Sequence, residues 1–230
     1  MNASQATHAR DIGALRSALL DAARAMSAAR LNVGTAGNAS VRLGDAAQNG
    51  GLLITPSGVP PDACTAAQMV VVHADGRFDG ELAPSSEWQL HRDIYAAFPA
   101  AGAILHAHAP FATALACQRR DIPPFHYMIA RFGGSTVRCA PYATFGTQAL
   151  SAAAVAALQE RRACLLANHG MVVHGRDLDH ALALAIEFET LCEQYWRTCQ
   201  LGEPVLLSDE EMREVVERFR WYGKPMTHKG

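Results

Sequence analysis

An excess of charge of one sign is the first thing missing from the chain. Its 20 Lys and Arg stand against 22 Asp and Glu, a formal net charge of −2 with the ten histidines neutral. No basic surplus is there to meet a nucleic acid or an anionic membrane surface, so neither is expected as a partner. No apolar run approaches the roughly 18 residues a membrane-spanning helix needs. The opening MNASQATHARDIGALR is polar and lacks the apolar core of a signal peptide. The six cysteines (Cys64, Cys117, Cys139, Cys164, Cys192 and Cys199) form no C-x-x-C pair. They read as scattered thiols of a cytoplasmic protein rather than as a disulfide framework. Internal repeats, low-complexity tracts and linkers are also absent. The 230 residues therefore read as a single domain, 1–230, large enough to bury a core.

What is present is half hydrophobic and only 18% charged, a globular composition. Residues 10–31 carry Ile12, Leu15, Leu19, Ala22, Ala23, Met26 and Leu31 at three- and four-residue spacings, which predicts an amphipathic helix. VGTAGNASVRL reads as a Gly-rich turn entering a strand, GLLITPSG as a strand ending in a turn, and MVVVHADGRF as a β-rich run broken at Asp-Gly. PSSEWQLHRDIYAAF predicts a helix with Ser86 as N-cap and Gln89 completing a capping box. AGAILHAHA predicts a strand, and PFATALACQR a helix begun by Pro110. DIPPFHYMIARFGGS is a loop with some order, and STVRCAPYA a strand. TQALSAAAVAALQE is a helix, and ACLLANHGMVVHG is one or two strands. Residues 178–201 form a long helix, and Ser208 with Glu211 opens a last one. GDAAQNGG, 44–51, is a loop tip. Strands and helices alternate irregularly, as an α/β protein with a central sheet would have them.

Three histidines stand out. His106 and His108 sit one residue apart in AILHAHAP, and in a strand that spacing puts both imidazoles on one face, where they can share a metal ion. His169 follows another apolar run, ACLLANHG. Three imidazoles leave an open position on zinc, the pattern of a catalytic site. His91 and His126 are equally open as the third ligand on spacing alone. Glu87 follows PSS and offers a carboxylate as ligand or base, although acidic residues favour helix starts in any case. GTAGN (34–38), TPSG (55–58) and PSS (84–86) each present backbone N–H groups and small hydroxyls. Such groups suit an anion, and none matches a P-loop. Together they point to a small phosphorylated substrate beside a metal.

The stretches LNVGTAGNASVR, LLITPSGVP, PSSEWQLH, AILHAHAPF, IPPFHYMIA, CAPYATFGT, LLANHG, LSDEE and FRWYG resemble the class II aldolase/adducin family, over about residues 31–223. The nearest likeness is to its L-fuculose-1-phosphate aldolase branch. The resemblance implies an α/β fold in three layers, a central, mostly antiparallel β-sheet with helices on both faces. It implies a homotetramer with active sites between subunits. His106, His108 and His169 would ligate one Zn²⁺ per subunit, other divalent metals being possible. Glu87 would be the catalytic carboxylate and a metal ligand when substrate is absent. Gly37, Asn38, Ser57, Gly58, Ser85 and Ser86 would hold the substrate phosphate. Tyr127 would be a proton donor from a neighbouring subunit, and Tyr222 a second active-site tyrosine. The implied reaction cleaves a ketose 1-phosphate, L-fuculose 1-phosphate first, to dihydroxyacetone phosphate and L-lactaldehyde through a metal-stabilised enediolate. An aldolase for 5-deoxyribulose or methylthioribulose 1-phosphate would share every motif. An epimerase or decarboxylase on the same scaffold would differ around Ser85, Ser86 and Glu87, and a non-catalytic adducin-like protein would lose metal ligands.

Overall fold

The computed structural model describes residues 3–44 and 51–219. In chain order its regular elements are α1 (Ala3–Ala28), β1 (Asn38–Arg42), β2 (Leu52–Ile54), β3 (Val70–Val72), β4 (Phe78–Asp79), α2 (Trp88–Ala97), β5 (Ala103–Ala107), α3 (Pro110–Ala116), β6 (Cys139–Ala140), α4 (Gln148–Ala157), β7 (Ala163–Leu166), β8 (Gly170–Gly175), α5 (Leu178–Leu201) and α6 (Asp209–Phe219). The strands form one sheet in the order β4-β3-β2-β1-β5-β8-β7-β6. Every pairing is antiparallel except β6 with β7.

Helices cover both faces, which is why the inner strands read as continuous apolar runs rather than alternating ones. The alternation survives as a sorting of side chains between two cores. Ala103, Leu105 and Ala107 of β5 pack with α1, α3 and α5, through residues such as Leu19, Leu115 and Phe188. Ile104 points the other way and packs with Leu90 and Ile94 of α2 and Leu150 and Ala154 of α4. The three-layer, mostly antiparallel architecture implied by the family resemblance is the one observed.

Helix starts follow local chemistry. The Thr147 hydroxyl accepts from Leu150 N–H at α4, and the Asp177 carboxylate from His180 N–H at α5. At α6 the predicted capping box is formed. Ser208 N–H donates to Glu211 Oε2 at 2.7 Å, and Glu211 N–H donates back to Ser208 Oγ at 3.3 Å. Pro110 opens α3, whose free N–H groups at Phe111 and Ala112 donate to the Glu189 carboxylate of α5.

Several expectations shift. The first helix runs Ala3–Ala28 rather than 10–31. ACLLANHGMVVHG is two strands, β7 and β8, joined by a turn at 167–169. STVRCAPYA contributes only Cys139–Ala140 as strand, while Val137 makes a single bridge with Ile122. The order expected in DIPPFHYMIARFGGS is a 3-10 helix, Tyr127–Phe132. The start of α2 is corrected. Glu87, not Ser86, occupies the N-cap, no side chain caps the helix, and no capping box with Gln89 forms. The Ser85 hydroxyl takes Glu87 N–H and the Ser85 carbonyl takes Trp88 N–H, so local polar groups settle one residue earlier and leave the Glu87 carboxylate free to turn inward. No described helix is long and apolar enough to cross a membrane.

Candidate metal centre and active site

The site lies where the middle of the sheet ends. Strand β5 leaves the sheet at Ala107, its neighbour β1 begins at Asn38, and β8 begins at Gly170 beside Ala107's successor. The register sets Asn38 opposite His106 across β1–β5 and Ala107 opposite Met171 across β5–β8. His106 therefore projects from β5 toward α2, on the same side as Ile104. His108 lies just past the strand end, and His169 in the turn between β7 and β8. The turn is tight. Asn168 adopts a left-handed conformation, φ 53°, with its side-chain Oδ1 accepting from Arg119 Nε at 2.6 Å. Gly170 follows, and a Cβ there would collide with the Ala107 carbonyl and crowd the His108 ring. Glycine is what lets the two histidine-bearing segments approach.

His106, His108 and His169 each present one ring nitrogen, and the three lie within 4.8 Å of one another. Their rings stand edge to face in all three pairs, with centroids 4.7–5.0 Å apart and planes at 68–76°. His106 Nδ1 lies 2.9 Å from the Met171 carbonyl and must carry the hydrogen, which leaves Nε2 with its lone pair for the centre. His106 Nε2 and His108 Nε2 are 3.1 Å apart. His91 and His126, open alternatives in the sequence, are elsewhere. Both nitrogens of His91 are engaged by Asn38 and Ser40, and His126 Nδ1 accepts from Met128 N–H.

Glu87 closes the fourth side. Its Oε2 is 3.1 Å from His106 Nε2, and its Oε1 is 3.5 Å from His169 Nε2. Oε1 is buried with no hydrogen-bond partner, an orphan that a cation would satisfy. Burial alone would raise the Glu87 pKa. His106, His169 and the Asn38 amide overcome it and hold the carboxyl well below the usual range. Burial, with His106 nearby, pushes His169 down to about 4 and lowers His108, so both imidazoles are neutral and able to donate a lone pair. Burial would also lower His106, but Glu87 and the Met171 contact raise it, so a metal there competes with a proton. Three convergent neutral-capable imidazoles, an adjacent carboxylate with an orphaned oxygen and an open side fit a divalent cation.

That open side is a cavity of about 350 Å³ lined by Thr35, Ala36, Gly37, Asn38, Ser86, Glu87, His108, Tyr142, Ala143, Phe145, Asn168 and His169. Of the residues expected at the site, it thus gathers Gly37, Asn38, Ser86, Glu87, His108 and His169, with His106 buried behind them. Gly37 has φ 71° and no room for a Cβ, which would strike the Asn32 side chain. That Asn32 Oδ1 in turn accepts from His108 N–H at 2.9 Å, tying the Gly-rich loop to the histidine strand. Ser85 is buried beneath the rim with its hydroxyl on Glu87 N–H. The turn bearing Ser57 and Gly58 is held beside it by Ser57 N–H to the Ala83 carbonyl, Ser85 N–H to the Thr55 carbonyl, and a Pro56–Pro84 bridge. Neither Ser57 nor Gly58 lines the cavity. Nor does Tyr127, which is half exposed on the Tyr127–Phe132 helix and stacks on Phe219 at 6.4 Å. Tyr222 lies outside the described residues, as does most of the 44–51 loop.

Sequence reasoning assigned no role to Tyr142 and Phe145, whose exposed rings rim the cavity. The guanidinium of Arg119 sits 5.8 Å from the Tyr142 ring centroid while its Nε holds Asn168, so the rim is braced against the His169 turn. Two aromatics in a short stretch bounded by Pro141 and Gly146 were the available signal.

Comparison with known proteins agrees with this geometry. The profile of the Class II Aldolase and Adducin N-terminal domain matches residues 17–196. A 5-methylthioribulose-1-phosphate/5-deoxyribulose-1-phosphate aldolase of Rhodospirillum rubrum is 51% identical over 210 residues, 91% of this chain and 93% of that protein. An L-fuculose phosphate aldolase of Escherichia coli K12 is 43% identical over 206 residues, 89% and 94% of the two chains. Among solved structures, an L-fuculose 1-phosphate aldolase superposes with a TM-score of 0.84 at 38% identity, covering 90% of this chain and 96% of that one.

Proposed function

The chain belongs to the class II aldolase and adducin family and is a class II aldolase, and on that footing we propose that it cleaves 5-methylthioribulose 1-phosphate and 5-deoxyribulose 1-phosphate. The observation that carries the chemistry is the convergence of His106, His108 and His169 on a buried carboxylate with an orphaned oxygen. The observation that favours these substrates is the 51% identity to the R. rubrum enzyme against 43% to the fuculose-phosphate enzyme, which reverses the order read from motifs alone. An apolar rim at Tyr142 and Phe145 suits the methyl or methylthio end of such an aldehyde. L-fuculose 1-phosphate is the second reading, supported by the 0.84 superposition.

A divalent cation on the three histidines, zinc first, would supply Lewis-acid stabilisation of the charge that builds on substrate oxygen. The protein's own groups do the rest. The Gly37 and Ser86 turns, with Asn38, Ser57, Gly58 and Ser85 around them, offer N–H and hydroxyl donors to the substrate phosphate. In the condensing direction Glu87 takes the carbon-bound proton of dihydroxyacetone phosphate, and Tyr127 gives a proton to the aldehyde oxygen as the carbon–carbon bond forms. In cleavage both transfers reverse, releasing dihydroxyacetone phosphate together with acetaldehyde from 5-deoxyribulose 1-phosphate or (methylthio)acetaldehyde from 5-methylthioribulose 1-phosphate. Tyr127 does not line the cavity of its own chain, so this role requires that a neighbouring subunit supply it, as in a homotetramer with sites between subunits. Tyr222 is the second tyrosine of this scheme.

The test is a cleavage assay. Purified protein is offered the three ketose 1-phosphates, and dihydroxyacetone phosphate is followed with and without chelator. The expected result is chelator-sensitive cleavage with the highest kcat/KM on the two ribulose-derived substrates. Preference for L-fuculose 1-phosphate would shift the assignment to the second reading. No dihydroxyacetone phosphate from any of them would end it.

A further inference from the structure

Behind the metal centre, on the α2 face of the sheet, a chain of buried polar groups runs away from Glu87. Asn38 Nδ2 donates to Glu87 Oε2 at 3.0 Å. Asn38 Oδ1 is 2.5 Å from His91 Nε2, His91 Nδ1 is 2.7 Å from Ser40 Oγ, and Ser40 Oγ is 2.9 Å from Tyr95 Oη. Ser40 and His91 are fully buried and Tyr95 nearly so. The far end is pinned by Arg42, which stacks 4.7 Å from the Tyr95 ring centroid. Its guanidinium donates to the carbonyls of Tyr95, Phe98 and Ala101. Five polar residues are thus committed to a line that touches the site at one atom of Glu87, an expensive arrangement in a packed interior unless it does something.

The donor inventory gives the line one direction. An ionised Glu87 only accepts, so the Asn38 end facing it is the NH2 group. The Asn38 carbonyl then faces His91, whose Nε2 must carry the hydrogen. Nδ1 of the same neutral ring accepts, so Ser40 donates to it, and Tyr95 donates to Ser40. Every hydrogen points toward Glu87.

We propose that His91 is a positioning residue, which acts through Asn38 to fix the rotamer and hydrogen-bonding face of Glu87 at the metal centre. Without the His91 N–H, the Asn38 carbonyl loses the partner that anchors it, the amide that donates to Glu87 Oε2 is held from one end only, and Oε1 loses its aim at the space between the three imidazoles. The inference rests on the reading of His106, His108 and His169 as a metal centre, and it assigns the H in EWQLH to that centre without making it a ligand.

The test uses full-length protein and Co²⁺ as probe, titrated against a competing chelator while the visible spectrum is followed. His91→Leu is expected to weaken Co²⁺ binding about ten- to hundred-fold and to lower kcat by a similar factor, with KM changed little. His91→Gln can place an amide N–H where Nε2 stood, and is expected to recover most of both. Wild-type Co²⁺ affinity and spectrum in His91→Leu would overturn the proposal. So would a His91→Gln variant no better than His91→Leu. Should His91→Leu fail to fold, Ser40→Ala and Tyr95→Phe carry the test, with smaller losses expected in that order and unchanged affinity in both overturning it. The titration contains no sugar phosphate. Variant-dependent Co²⁺ affinity in a protein that cleaves no ketose 1-phosphate would uphold this inference and sink the proposed function. Cleavage with His91-independent Co²⁺ affinity would do the opposite.

Discussion

The two faces of one strand, β5, are built for different ends. On the face toward α1, α3 and α5 stand Ala103, Leu105 and Ala107, and among the described residues none of the fully buried polar or charged ones lies on those helices. On the face toward α2 stands His106 beyond Ile104, next to Asn38 and Ser40 of β1, with His91, Tyr95 and Glu87 packed over them. The first face gains stability by burying apolar area. The second gives some of that up, desolvating polar groups that must each find a partner, and in exchange holds a carboxylate and three imidazoles in fixed directions. A protein stabilised on one side of its sheet can carry an unfavourable arrangement on the other.

The largest effects should come from the polar face. Removing the metal with a chelator should abolish activity, and added zinc should restore it. Glu87→Gln keeps the shape of the side chain but cannot take a proton, and should cost roughly 10²–10⁴ in kcat. Its melting temperature should stay within a few degrees of wild type. Turnover near the wild-type rate would refute the role of Glu87, whatever the metal does.

The apolar face should break the other way. Phe188 of α5 is 1% exposed and packs its ring against that of Phe132, centroids 5.2 Å apart and planes tilted by 56°. Phe188→Ala should cost about 3–5 kcal/mol in urea unfolding, while the folded fraction keeps its kcat and metal affinity. A selective fall in metal affinity with little change in stability would show that the two faces are not independent.

The two regions should also differ in their response to acid. Burial, reinforced by His106, lowers His91 to about 3 from the ordinary 6.5. The unfolded chain therefore takes up a proton below pH 6.5 that the folded chain refuses until near pH 3. The stability this residue contributes is complete above the unfolded value and declines through that window, by roughly 1 kcal/mol per pH unit. His91→Gln has no such proton. Its unfolding free energy, measured from pH 7 to 4.5, should fall less steeply than that of wild type. Parallel curves would mean that His91 is protonated in the folded protein and that the polar chain does not run in one direction.

How much of this was legible in the sequence depends on the range of the interaction. Periodicity located nearly every helix and strand, and local side-chain chemistry placed the starts at Pro110 and Ser208. His106 and His108 were readable as a pair from their two-residue spacing, although β5 stops at Ala107 and His108 turns in from just beyond the strand end. Choosing His169 over His91 or His126 was not readable from spacing, since it depends on β8 pairing with β5. That pairing joins segments more than 60 residues apart. Tyr142 and Phe145 escaped notice for the same reason: only the folded chain brings PYATFG to the rim. The polar chain from Asn38 to Tyr95 joins alternate residues of β1 to residues one turn apart on α2. Each half was visible as a periodicity, but their contact was not.

The smallest effect concerns the helix start that the sequence misplaced. PSSEWQ has the form of a capping box on Ser86, yet Ser86 caps nothing, and α2 begins with Glu87 at its N-cap and no side-chain cap. On the same face of the sheet, α4 begins with Thr147 accepting from Leu150 N–H. Thr147→Ala should therefore cost about 1 kcal/mol of stability and leave kinetics alone. Ser86→Ala should leave stability unchanged and raise KM for the phosphorylated substrate, because its exposed hydroxyl lines the cavity beside Gly37. A Ser86→Ala variant that melts lower with an unaltered KM would restore the capping role. It would also remove Ser86 from the phosphate-binding set. The opposite result fits a helix whose first turn was left uncapped so that Glu87 could face the three histidines.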